Sequence, residues 1–248
     1  MTTQKTVVCF GDSITYGQIG ASYVSVLRQR LPPEIRLVNA GVNGDTTLNM
    51  LHRVARDVAP YHPDLVIVLA GLNDIGSAYG EPGMRRYYRL MKRPGIAITP
   101  QRFIGIYRRL IARLRLHTPR VTLCTLTLLG EWRQAPFQPK VDAYSVIIRG
   151  LARQHNLDVI DLRLAFDTVI AADPRPGPAY QWWTPIRDGM LLFFQRKSYA
   201  DLTRERNYRL TCDGVHLSQA GATLIADTVQ PYLEHVLRRQ PDAVDIAS

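Results

Sequence analysis

No stretch of about 18 apolar residues occurs in this 248-residue chain, which excludes a membrane-spanning helix. The opening "MTTQKTVVCF" carries one lysine and a four-residue apolar run before Gly11, too little for the core of a secretory signal. A cytoplasmic location is therefore expected. Cysteine is scarce: Cys9, Cys124 and Cys212 make an odd count without zinc-ligand spacing, so free thiols are expected. There is no HExxH and no CxxC, and hence no expected metal site. There is also no P-loop and no G-x-G-x-x-G, so a nucleotide cofactor has no motif to hold it. The nucleophile elbow G-x-S-x-G is missing as well. No cofactor of any kind is expected.

Acidic residues are absent from Arg85 to Arg120, a segment holding ten arginines and one lysine. The remaining 20 basic residues face 21 acidic ones, so this segment carries the entire basic excess behind the net charge of +10. Such a run reads first as a solvated helix face. It also offers attraction for an anionic substrate or surface, in particular through Arg85, Arg86 and Arg89. The rival reading is a nucleic-acid-binding protein, with Tyr87, Tyr88 and Tyr107 stacking on bases. No nucleic-acid module accompanies those tyrosines, and half of the segment patterns as a core-packing helix. Nucleic acid is thus not the expected partner.

What is present describes a soluble globular protein, 46% hydrophobic and 21% charged. Its length suits one α/β domain over 1–248, ending in a short tail at 240–248. Short apolar runs at 6–10, 35–40, 64–70, 121–127 and 157–162 predict five strands, whose Val/Ile/Leu richness suits a parallel sheet covered on both faces. Helical patterns fall at about 21–30, 47–58, 100–116 and 140–155, and from Ser218 to about Arg238. The 100–116 helix has Thr99 as N-cap, Pro100 at its first position, and an apolar stripe of Phe103, Tyr107, Leu110 and Leu114. This alternation predicts a three-layer α/β/α sandwich on a five-stranded parallel sheet, with ligands bound beyond the carboxyl ends of the strands. Two long stretches interrupt it, at 76–98 and 173–209, and are read as insertions. The second contains Trp182, Trp183, Phe193 and Phe194, which make a lid, a substrate pocket wall or a dimer contact.

Three motifs fall at predicted strand ends, "GDSITYG" with Ser13, "NAGVNGDTT" with Gly44 and "GLND" with Asn73, and a fourth, "CDGVHLS" with Asp213 and His216, lies on a short loop before the last helix. A serine hydroxyl needs a base to become a nucleophile, and histidine is the usual base near pH 7. Asp213, three residues before His216, can reach back to orient the imidazole. The oxyanion formed in acyl transfer needs fixed donors, which the backbone N–H groups of Ser13 and Gly44 and the Asn73 amide can supply. Each motif alone has a plain structural reading as a turn or a cap.

Taken in order, the four motifs resemble the blocks of the SGNH hydrolases, the GDSL family of esterases and lipases, with Ile14 standing where leucine is more usual. The resemblance implies a flavodoxin-like doubly wound fold and a Ser13–His216–Asp213 triad. It also implies an oxyanion hole of Ser13, Gly44 and Asn73, and hydrolysis of a small-molecule ester through a serine acyl-enzyme. A carboxylesterase for short or medium acyl chains is expected. Thioesterase, lysophospholipase and carbohydrate acetylesterase activities are the alternatives on the same site.

Overall fold

The computed structural model describes residues 4–92, 95–172, 184, 188 and 196–238. Five strands, β1 (Lys5–Gly11), β2 (Ile35–Gly41), β3 (Leu65–Leu69), β4 (Val121–Cys124) and β5 (Asp158–Ile160), form one sheet in the order β2-β1-β3-β4-β5. Every pairing is parallel. The continuous apolar runs occupy the middle of the sheet: Val7, Val8, Cys9 and Phe10 in β1 and all five residues of β3 are buried. The outer strands β2 and β5 keep exposed positions, as edge strands must.

Helices cover both faces. They are α1 (Ser13–Tyr16), α2 (Tyr23–Arg30), α3 (Thr47–Asp57), α4 (Leu72–Tyr79), α5 (Pro82–Met91), α6 (Pro100–Leu114), α7 (Gln138–Gln154), α8 (Leu162–Ala172), α9 (Tyr199–Glu205) and α10 (Gln219–Arg238). One layer packs α3 on α6 and α6 on α7, and the other packs α2 and α8 on α10. Buried side chains from the sheet and both layers form one continuous cluster. Because β2 lies to one side of β1 and β3 to the other, the strand order reverses at β1, the place where such sheets open a crevice. No helix among the described residues is long and apolar enough to cross a membrane.

Phe103, Tyr107, Leu110 and Leu114 all turn inward from α6, and the Phe103 ring meets Tyr107 at 5.0 Å and Tyr144 of α7 at 4.7 Å. Arg102, Arg108, Arg109, Arg113 and Arg115 lie exposed on its other side. Thr99 is the N-cap of this helix, but its side chain makes no capping hydrogen bond. The start is set instead by the Pro100 ring, whose fixed φ already matches a helix.

Two boundaries differ from the hydrophobic pattern. The 121–127 run stops being a strand at Cys124, since the Thr125 hydroxyl turns to Asp161 and the Leu126 N–H to Ser145. The 157–162 run ends at Ile160 because Asp161 opens α8, accepting from the Leu164 N–H at 3.2 Å. The 76–98 stretch, read as an insertion, holds the end of α4 and all of α5. Cys9, Cys124 and Cys212 are free and buried, and burial pushes the Cys9 thiol up to about 12.

Candidate active site

Strand β1 delivers Ser13 directly into a one-turn helix. Asp12 caps that turn, its Oδ1 accepting from the Ile14 N–H at 3.0 Å. A Cβ on Gly11 would stand 2.2 Å from Thr15 Oγ1 and 2.6 Å from the Leu69 carbonyl, so only glycine lets the turn fold back on the sheet. Ser13 is left 7% exposed at the carboxyl end of the central strands.

The histidine arrives from far along the chain. A bridge between Thr211 and Leu217 and a 2.8 Å hydrogen bond from the Cys212 N–H to the His216 carbonyl close the 212–216 loop. Within it Asp213 Oδ1 accepts from the N–H groups of Val215 and His216, which fixes the carboxylate. Asp213 Oδ2 lies 2.6 Å from His216 Nδ1, and His216 Nε2 lies 3.0 Å from Ser13 Oγ. Burial disfavours the imidazolium, but the Asp213 charge and hydrogen bond outweigh it, so the His216 pKa stands above its usual 6.5. For Asp213, burial pushes up while His216 and the two backbone donors pull harder, and its pKa falls below the usual range.

Asn73 bonds to the residues that follow Gly44 and precede Ser13. Asn73 Nδ2 donates to the Asp45 carbonyl at 3.0 Å and to Asp12 Oδ2 at 3.2 Å, tying the tip of α4 to both neighbouring loops. The Tyr88 hydroxyl donates to Asn73 Oδ1 from the other end of the amide. Gly44 takes φ +71°, where a Cβ would sit 2.9 Å from Lys92 Cε. Thr46 caps α3, in a reciprocal box with Asn49.

Several supporting residues escaped the sequence reading. Arg53 is buried and donates to Asp45 Oδ2 (2.6 Å), Asp57 Oδ2 (2.9 Å) and the carbonyls of Gly11 (2.7 Å) and Ala40 (2.8 Å). Its one available signal was an arginine one position before the buried Val54 of α3. Glu131, after β4, accepts from the N–H groups of Arg209, Leu210 and Thr211 and from the Thr211 hydroxyl. Beside it the Gly130 N–H donates to the Gly214 carbonyl at 2.8 Å, so the 130–131 corner grips the His216 loop. Asp74 is fully buried on the Thr47 N–H and hydroxyl, and burial raises it to about 7. Burial likewise raises Asp12 to about 6. Apart from Asp57 and Asp45, which lie close to Arg53 along the chain, these partners are distant in sequence, so no spacing announces them.

Trp182, Trp183, Phe193 and Phe194 lie outside the described residues. Among the described residues no group of three or more His, Cys, Asp or Glu side chains is arranged to hold a metal ion.

A hydroxyl, an imidazole and a carboxylate thus stand in series at the carboxyl end of a doubly wound α/β/α sheet. A model of the GDSL-like lipase/acylhydrolase family matches residues 9–224. An acetylxylan esterase of Geobacillus stearothermophilus is 26% identical over 177 residues, covering 64% of this chain and 77% of the relative. The solved acetyl xylan esterase AlAXEase superposes with a TM-score of 0.64 at 24% identity, covering 92% of this chain and 99% of its own. LAE5, a hydrolase from the metagenome of Lake Arreo, superposes at 0.63 with 22% identity, covering 93% and 95%. The chain belongs to the GDSL-like lipase/acylhydrolase family, and it is a hydrolase of ester bonds.

Proposed function

We propose that the chain cleaves carboxylic esters of short or medium acyl chain through an acyl-enzyme on Ser13. The observation that carries this reading is the 3.0 Å approach of His216 Nε2 to Ser13 Oγ, with Asp213 2.6 Å behind the ring. Ser13 Oγ attacks the carbonyl carbon while its proton passes to His216 Nε2. Asp213 holds the resulting imidazolium. The Ser13 and Gly44 N–H groups and Asn73 Nδ2 receive the negative oxygen. His216 then gives its proton to the departing alcohol oxygen, leaving an ester on Ser13. Water adds to that ester with loss of a proton to His216, and collapse returns the proton to Ser13 Oγ and frees the acid.

Acetyl esters of carbohydrates are a second reading of the acyl group and the alcohol, supported by the acetylxylan esterases among the relatives. The test is hydrolysis of p-nitrophenyl esters from acetate to laurate, together with acetylated xylo-oligosaccharides, by wild type and Ser13→Ala. The expected result is cleavage that peaks at short chains and vanishes with the serine. Wild-type turnover in Ser13→Ala would end this assignment.

A further inference from the structure

Helix α5 lies between the Asn73 motif and α6, where none of the four sequence blocks falls, yet it touches two loops of the site. Lys92, at its end, reaches the Asn43 carbonyl and stands 3.3 Å from Asp45 Oδ1, on either side of Gly44. Tyr88, the buried residue of α5, sends its hydroxyl to Asn73 Oδ1. We propose that Tyr88 is a positioning residue that holds the Asn73 side-chain amide with Nδ2 turned toward the developing oxyanion. This rests on the oxyanion role proposed above for Asn73.

The two ends of a carboxamide have nearly the same shape, so packing cannot orient one and hydrogen-bond partners must. At the Nδ2 end of Asn73 stand two acceptors, the Asp45 carbonyl at 3.0 Å and Asp12 Oδ2 at 3.2 Å. At the Oδ1 end stands the Tyr88 hydroxyl, supplying the donor that a partly buried oxygen needs. Asp12 is the neighbour of Ser13, so the N–H aimed at Asp12, the longer of the two bonds, is the one an oxyanion on the Ser13 adduct can draw away. A donor on Oδ1 also polarises the amide and strengthens its N–H groups, since linked hydrogen bonds reinforce one another. The Tyr88 ring is held edge-on by Tyr87 at 5.3 Å, which keeps the hydroxyl aimed.

The test is a kinetic cycle on p-nitrophenyl acetate with wild type, Tyr88→Phe, Asn73→Ala and the double variant. Loss of one oxyanion donor lowers kcat by about 10²–10³-fold, so Asn73→Ala should fall in that range. Tyr88→Phe keeps the ring and should lower kcat about tenfold with KM near wild type, the mark of an interaction made in the transition state. The double variant should match Asn73→Ala alone, because Tyr88 acts through Asn73. Wild-type kcat in Tyr88→Phe beside an impaired Asn73→Ala overturns the proposal, as do losses that multiply in the double variant. Wild-type kcat in Asn73→Ala instead removes the oxyanion reading and this inference with it. A crystal structure of the wild type gives a check independent of variant folding. A Tyr88 hydroxyl bonded to Asn73 Oδ1 supports the proposal, and one turned away from Asn73 overturns it.

Discussion

Replacing Arg53 with methionine should damage the fold more than any single surface change. Arg53 is 6% exposed, stacks 4.4 Å above the Phe10 ring, and joins the ends of β1 and β2 to the Asp45 loop. Methionine keeps much of the stem and its contact with Phe10, so the loss is polar. Asp45 then remains buried with Lys92 at 3.3 Å as its remaining cation, and the Gly11 and Ala40 carbonyls lose a charged donor. Breaking a buried ion pair from one side costs about 3–5 kcal/mol. For a chain of this size each kcal/mol shifts Tm by about 2–4 °C, so a fall of about 6–20 °C is expected. Arg53→Lys should recover only part of it, because one ammonium cannot span the positions that the guanidinium fork reaches. Asp57→Asn, at a partner 20% exposed, should cost less, about 1 kcal/mol. Differential scanning calorimetry at pH 7 is the assay. An Arg53→Met protein melting within 2 °C of wild type, about one kcal/mol at most, would refute the argument that this network ties the strand ends together.

The pH profile of kcat/KM should show an acid limb with its midpoint above 6.5, because His216 works as a base only when neutral and its pKa is raised. Asp213→Asn should move that midpoint down and lower kcat by about 10⁴-fold; an unmoved midpoint would deny Asp213 its role. Asp74, raised to about 7 by burial, holds a proton in the folded chain that the unfolded chain has lost between pH 3.8 and about 7, so its contribution to stability falls as pH rises through that window. Urea titrations should therefore show the stability difference of Asp74→Asn from wild type shifting in favour of the variant between pH 5 and pH 8, and an equal difference at both would sink the idea. Arg85, Arg86 and Arg89 are exposed on α5, the helix that adjoins Gly44 through Lys92. Raising ionic strength should increase KM for an anionic ester and leave that of a neutral ester alone, and Arg86→Glu/Arg89→Glu should abolish this difference.

Four short motifs name residues 203 positions apart that the fold brings within a hydrogen bond, Ser13 and His216. Three of them are legible because each sits where a continuous apolar run breaks into a turn, and in a parallel sheet all such breaks fall at one end; the fourth is a short loop before the last helix. The five strands and the long amphipathic helices were readable because burial on two faces leaves a continuous apolar run and burial on one stripe leaves a helical period. Helices α1, α4, α5, α8 and α9 left less trace, being short or shaped by neighbours, and α8 depends on the cap from Asp161.

The amino-acid order by itself thus pointed to candidate side chains, through four motifs and their resemblance to a family, and to the end of the sheet where strands break into turns, since hydrophobic runs and turn residues are local. Tertiary structure alone decided what holds them there. Arg53 under the strand ends, Glu131 on the backbone of 209–211 and Tyr88 on the Asn73 amide each act across at least 15 residues of chain or between separate elements. Their meaning lies in which groups are buried together, and a buried polar atom finds its partner through space, where no spacing along the chain records it.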